Sequence, residues 1–249
     1  MIAIRSIRDP FLMVIVLFAL WQAMHQIAGD VAITAPLPTL SHLWEMIGQK
    51  RFLPHVTETG LAFLQALAIS WLGGVGIGVL LGGHRLTGEI AVPILVGLYS
   101  LPKITLYTVI LLLFGLGMPA KVAFGALHGI IPVVLFTMSA VRNVNRTYLR
   151  AGRAMRLSPA QMAWHILVPA TLPEIFTGLR IGFSLTLLGT MLGELFASQR
   201  GLGFLLMTAI ELNDVQTILA IAVLISLFAV SANAILLAID KRLHRGAAA

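Results

Sequence analysis

The sequence predicts an all-α membrane protein with six transmembrane helices, and three observations predict it. Of the 249 residues 58% are hydrophobic and only 11% are charged, and the mean hydropathy is +0.94. A soluble domain carries roughly 25% charged residues. Next, residues 10–29, 59–84, 122–141 and 215–239 contain no Asp, Glu, Lys or Arg, and each run is about the ~20 residues a helix needs to cross a hydrocarbon core. Residues 90–120 and 181–199 carry one charge each, Lys103 and Glu194. Finally, the basic residues alternate with the spans. With the N-terminus inside, eleven cations fall on inner loops: Arg5, Arg8, Arg85, Arg142, Arg146, Arg150, Arg153, Arg156, Lys241, Arg242 and Arg245. Four fall outside, Lys50, Arg51, Lys121 and Arg200, and Lys103 and Arg180 lie within spans. Cytoplasmic loops collect Lys and Arg, so both termini are expected in the cytoplasm.

The spans are expected at 11–28, 61–83, 94–115, 119–140, 175–197 and 216–239. Helix is the required form, because each backbone amide inside lipid must find its partner within the chain. The first span resembles a signal sequence, with Arg5 and Arg8 before an apolar run. Gln22, His25 and Gln26 follow and no A-x-A site precedes Asp30, so it reads as an uncleaved helix. Between the first two spans Leu40, Leu43, Trp44 and Ile47 fall at helical spacing, which predicts a short amphipathic helix on the outer surface.

In the second span Gly74, Gly78 and Gly82 fall four apart, and Gly189, Gly193 and Ala197 do the same in the fifth. Small residues at this spacing let helix backbones approach closely. They serve either static packing or faces that slide against each other.

The inner stretch 142–174 has structure of its own. Val144, Tyr148, Ala151 and Met155 form an apolar stripe on a helix, beside a basic stripe of Arg142, Arg146, Arg150 and Arg153. Ser158, Pro159 and Gln161 then supply an N-cap, a first-turn proline and the third position of a capping box. A second short helix is expected from Pro159 to about Leu167, ended by Pro169 and Pro173. Thr171 and Glu174 offer another capping box before the fifth span. Such a basic helical pair suits either anionic lipid or a soluble partner protein.

The polar residues inside spans are the candidate solute pathway: Lys103, His128 and Glu194. A charge within a span is costly and faces protein or water. Pro102 precedes Lys103 and is expected to break the helix there. Lys103 then meets an anionic solute, snorkels, or pairs with Glu194. His128, between Gly125 and Pro132, is either a ligand or a hydrogen-bonded core histidine. Glu194 precedes residues 198–203, expected as an outer turn, where a structural role fits it. Arg180 is expected to snorkel to the inner interface.

Composition excludes other chemistry. Cys is absent, which removes disulfides, thiol catalysis and Cys-ligated zinc. No catalytic residue or metal site is expected. The net charge of +7 and pI near 10.6 reflect inner loops rather than nucleic-acid binding. No G-x-x-x-x-G-K-[ST] phosphate cradle is present, so no ATP hydrolysis is expected from this chain.

From Tyr148 through Ser158 and Pro159 to Pro173, the chain resembles the cytoplasmic loop of binding-protein-dependent ABC importer permeases. That loop carries an E-A-A, then G, then I-x-L-P pattern. Ala151 holds an alanine position, Ile166 and Pro169 match the end, and nine residues separate Arg156 from Ile166. Leu101-Pro102-Lys103-Ile104, Phe114-Gly115-Leu116-Gly117 with Lys121, Gly178-Leu179-Arg180, Gly193-Glu194-Leu195 and Gly201-Leu202-Gly203 resemble the branch handling nitrate, sulfonates, taurine and bicarbonate. The resemblance covers about residues 55–240. The chain departs from the pattern at Arg150 for the acid, Gly152 for the second alanine, Arg156 for the glycine and Val168 for the leucine. Arg at a left-handed position would be strained, so Leu157 and Ser158 are expected to make that turn.

The resemblance implies a type I ABC importer permease-like bundle in a bacterial inner membrane. It divides the chain into residues 1–54, an N-terminal helix and outer segment; 55–240, the permease domain; and 241–249, a basic cytoplasmic tail. It implies a second permease subunit, preferably a second copy of this chain, and two ATPase subunits holding ATP and Mg. A periplasmic or lipid-anchored binding protein would deliver the solute. The loop 142–173 would couple to the ATPase through Tyr148, Arg150, Ala151, Gly152, Arg153, Met155, Arg156, Ser158, Ile166 and Pro169. Lys103 and the resemblance favour a small anionic solute. An ion-coupled secondary transporter and a non-transporting scaffold are the alternatives from other classes.

Overall fold

The structure is a computed structural model describing residues 2–247, and every regular element among them is a helix. Residues 248 and 249 of the basic tail lie outside the described residues. The first helix, α1, spans Ile2–Ala28. It ends in a turn where the Trp21 indole donates to the Thr34 carbonyl at 3.0 Å. The short α2, Pro36–Gly48, follows. It is the expected surface helix, but with a different face inward. Thr39, Leu43 and Met46 are buried, while Trp44 is 79% exposed. Packing against the start of the last helix selects that face, and four-residue spacing alone does not.

Helix α3 runs over Leu53–Gly83 with one wide turn at Ile69–Gly73. The next span breaks at Pro102, as expected. Helix α4, Arg85–Ser100, and α5, Tyr107–Phe114, are joined through a 3-10 turn at Lys103–Leu106 and bent by 89°. The expected span 94–115 is therefore a broken one. Pro102 has no amide hydrogen to continue the ladder, and it disfavours helix at the residue before it.

Helix α6, Met118–Arg142, is the axis of the bundle, with 67% of its apolar window buried. Helix α7, Arg146–Ala154, is short. Helix α8 then runs unbroken over Pro159–Phe196. Neither Pro169 nor Pro173 ends it, which corrects the expected stop near Leu167. A wide turn at Ala163–Leu167 directly precedes Pro169 and opens the spiral where the ring would strike the preceding carbonyl. Thr171 is no cap either: its hydroxyl donates to the Leu167 carbonyl at 2.8 Å, and Glu174 instead accepts from Ser139 at 2.6 Å. At 1.5 Å per residue α8 is roughly 57 Å long against a ~30 Å hydrocarbon core. One end must therefore project from the membrane unless it is strongly tilted. The turn at 198–201 leads into α9, Leu202–Glu211, a short helix with no span of its own in the sequence expectation, and α10, Val215–Ala247, closes the fold.

Four of these helices are long and apolar enough to cross a membrane, and the bent pair makes a fifth span. The apolar part of α1, Leu12–Ala28, is shorter. The glycines decide how the bundle closes. A methyl group at Gly78 would lie 2.5 Å from Thr137 Cβ, and one at Gly74 would lie 2.6 Å from Val133 Cβ. Gly82 meets Met138 in the same way. The four-residue repeat of α3 is thus the face on which α6 lies. Gly189 and Gly193 of α8 take the other side of α6, against His128 and Lys121.

Candidate functional site

Two groups of residues stand out, one at each end of the bundle. At the end carrying residues 143–158, Asn145 opens α7 by accepting the Thr147 amide at 2.9 Å. Its close is a Schellman cap: Arg156 N–H donates to the Arg153 carbonyl at 3.0 Å and Leu157 N–H to the Gly152 carbonyl at 3.1 Å. The left-handed residue this cap requires is Arg156 itself, at φ 53°. The turn is therefore not displaced to Leu157 and Ser158, as the sequence suggested. Arg takes up the conformation that glycine adopts without strain, because the two cap hydrogen bonds and the next helix fix it.

That next helix starts as expected. Ser158 accepts the Gln161 amide at 3.3 Å, and the Gln161 side chain accepts the Ser158 amide at 2.9 Å. Helix α7 then lies against the start of α8 through Gly152. A methyl group there would stand 2.6 Å from Ile166 Cδ1 and 2.7 Å from Met162 Cε. Gly152, which departs from the family's alanine, is what allows this close approach. The outward face of the pair is left open. Tyr148 is 52% exposed, Met155 is 71% exposed, and Ala151 lies between them. Arg150, Arg153, Arg156, Ser158 and Pro169 are exposed as well, with Ile166 half-buried beneath. The basic stripe is not wholly unopposed, since Arg142 reaches Glu89 at 3.9 Å. Glu89 is itself held by Arg85 at 2.9 Å.

At the opposite end Glu194 is fully buried and fully engaged. Lys121 Nζ lies 3.2 Å from its Oε1. Thr59 donates to Oε2 at 2.7 Å and Gly203 N–H at 3.0 Å. Lys121, 1% exposed, also reaches Glu58 at 3.0 Å and the Arg200 carbonyl at 3.2 Å. Gly201, at φ 125°, folds the turn so closely over the Glu194 carboxylate that no side chain fits there. This knot ties α3, α6, α8 and the turn before α9. Glu58 and Thr59 were not singled out from sequence, and Lys121 entered only as an outer cation and in the family resemblance. A signal existed: Lys121 and Glu194 are lone opposite charges at the same end of two antiparallel spans.

The three residues proposed from sequence as a pathway are not gathered at one point. Glu194 is held by Lys121, not Lys103. His128 lies in the core, its Nδ1 2.9 Å from the Phe124 carbonyl, against the Phe124 ring. Lys103 stands over the Tyr99 ring at 4.6 Å and donates to the Tyr99 carbonyl at 3.2 Å. Arg180 meets Asp240 at 3.4 Å, and Asp240 also accepts from Thr177 at 3.1 Å. Among the described residues no three His, Asp or Glu side chains are gathered as a metal ion would require.

Comparison with known proteins gives these features a context. Residues 74–245 match the family described as binding-protein-dependent transport system inner membrane component. The chain is 28% identical to the taurine transport system permease protein TauC of Escherichia coli, over 92% of this chain and 86% of that protein. It is 26% identical to the nitrate import permease protein NrtB of Leptolyngbya laminosa, over 88% and 81%. It is also 26% identical to the formylaminopyrimidine transport permease protein ThiX of Halalkalibacterium halodurans, over 79% and 78%.

Proposed function

The chain belongs to the family of binding-protein-dependent transport system inner membrane components and is an ABC importer permease, and from that premise we propose that its loop 142–173 is the seat of a separate ATPase. The observation that carries this is the exposed apolar row of Tyr148, Ala151 and Met155 on a short helix fastened to α8. A row of this kind left in water is costly unless a partner covers it. Because Gly152 lets α7 rest directly on α8, a displacement of the row is passed to a helix that runs the length of the bundle. The chain has no phosphate cradle, so ATP and Mg belong to the partner. Two ATPase subunits, a second permease, preferably a copy of this chain, and an extracytoplasmic binding protein complete the assembly. The loop end, with both termini, faces the cytoplasm, in accord with eleven inner cations against four outer ones.

The solute is a small anion. Lys103 at the break between α4 and α5 supports this, as do relatives named for taurine and nitrate. The test is a pull-down of the co-expressed cognate ATPase. Tyr148→Ala or Met155→Asp is expected to release it from an otherwise folded permease. Retention of the ATPase by Met155→Asp would remove the loop as its docking element.

A further inference from the structure

Arg180 is placed for more than an interfacial ion pair. Its Nε is buried yet makes no hydrogen bond, facing Asp240 at 3.4 Å out of line. The rest of the side chain, one quarter exposed, lines a cavity of about 240 Å³ together with Tyr99, Ile181, Ser184, Leu185 and Asn233. Ser184 is one turn beyond Arg180 on α8, and Asn233 projects from α10. Tyr99 forms the wall contributed by α4, and Lys103 rests on that same ring. The neighbourhood therefore holds two cations against one carboxylate. That carboxylate already accepts from Thr177, and His244 lies 3.3 Å from it. A guanidinium fork with a hydroxyl and an amide beside it is the donor set that recognises a planar or tetrahedral oxyanion. Resting on the importer reading above, we propose that Arg180, Ser184 and Asn233 form an anion-binding step on the translocation path. It would receive the nitrate-, sulfonate- or carboxylate-like group of the solute after Lys103.

This chain contains no cysteine, so with cysteine-free partner subunits a single Ser184→Cys reports on this cavity without background. In the assembled complex in lipid nanodiscs, its reaction rates with a sulfonate-bearing and a trimethylammonium-bearing methanethiosulfonate reagent are compared. Ser41→Cys, on the exposed side of α2, is the reference. The anionic reagent is expected to be favoured at residue 184 by about tenfold relative to the reference, the scale of a unit charge several ångströms away. Arg180→Gln should abolish the preference and Arg180→Lys should keep most of it. Asn233→Asp lowers it without breaking the Arg180–Asp240 pair. If neither reagent reaches residue 184 while residue 41 reacts, the cavity faces lipid or a sealed interface and the proposal falls. A preference independent of Arg180 overturns it equally. ATPase co-purification with the Ser184→Cys complex is scored separately, so loss of the importer reading is distinguishable from loss of this site.

Discussion

Lys121 Nζ lies 3.2 Å from Glu194 Oε1, with both side chains sealed from solvent, and the pair joins the two most closely packed helices of the bundle. Neither charge could be buried alone. Each is accepted because the other, with Thr59, Gly203 N–H and Glu58, satisfies it. Lys121→Met would leave Glu194 buried and unmatched, at a cost of about 3–5 kcal/mol. The variant should unfold at lower temperature in detergent. Lys121→Met combined with Glu194→Gln should recover part of that loss, because the amide carries no charge to strand. A double variant no more stable than the single one would show that the ion pair is not what holds this end.

Arg156 occupies a left-handed conformation at φ 53°. Arg156→Gly should relieve roughly 1 kcal/mol of backbone strain. The Leu157 amide, bonded to the Gly152 carbonyl, is then expected to exchange with deuterium more slowly. Arg156→Val should have the opposite effect.

The glycines of α3 differ sharply from one another. Gly78→Ala places a methyl 2.5 Å from Thr137 Cβ, whereas Gly76→Ala meets nothing within 4 Å. The first change should cost about 1–3 kcal/mol by forcing α3 off α6. The second should be neutral or gain up to ~1 kcal/mol in helix propensity. Thermal unfolding of the two variants side by side measures the difference.

Arg150 is exposed on the face we propose docks the ATPase. Arg150→Glu should weaken ATPase binding by no more than about fivefold at low salt, since exposed ion pairs contribute only ~0–1 kcal/mol. The effect should shrink as salt rises. Tyr148→Ala should weaken binding at every salt concentration.

Asp214 caps the start of α10. Its Oδ1 accepts the Thr217 amide at 3.1 Å and its Oδ2 the Thr217 hydroxyl at 2.6 Å. That hydroxyl has given its one hydrogen, so its 3.0 Å contact with His42 Nε2 must be a donation from the ring. Burial pushes the Asp214 carboxyl up, but the Thr217 bonds and the His42 charge outweigh it and leave it below 3.8. A depressed folded value means stability present above the unfolded pKa and lost as pH falls through the folded one. Asp214→Ala should therefore cost about 1 kcal/mol at neutral pH. As pH falls through that lowered folded pKa, the variant and the parent should converge.

Much of the architecture was legible because it follows from local chemistry. Charge-free runs mark spans wherever lipid forbids an unpaired amide. The capping box at Ser158 was readable because it involves only residues three apart. The break at Pro102 was readable because a missing amide hydrogen acts on its own turn. Pro169 and Pro173 misled for the converse reason. Whether a proline ends a helix depends on the neighbours that support it, and the wide turn at Ala163–Leu167 absorbs the clash.

The sequence by itself determined that the chain enters a membrane as helices, that its glycine repeat in α3 is a packing face, and that a capped helical pair sits in the basic loop. Only the tertiary structure decided which charges meet. It paired Glu194 with Lys121 rather than Lys103, set Arg180 beside Asp240 and an open cavity, and turned Met46 rather than Trp44 inward. A span's periodicity is fixed by its own residues. The partner of a buried charge is fixed by which helix lies alongside at that depth, and that follows from where the glycine faces let the helices close, as Gly193 does against Lys121.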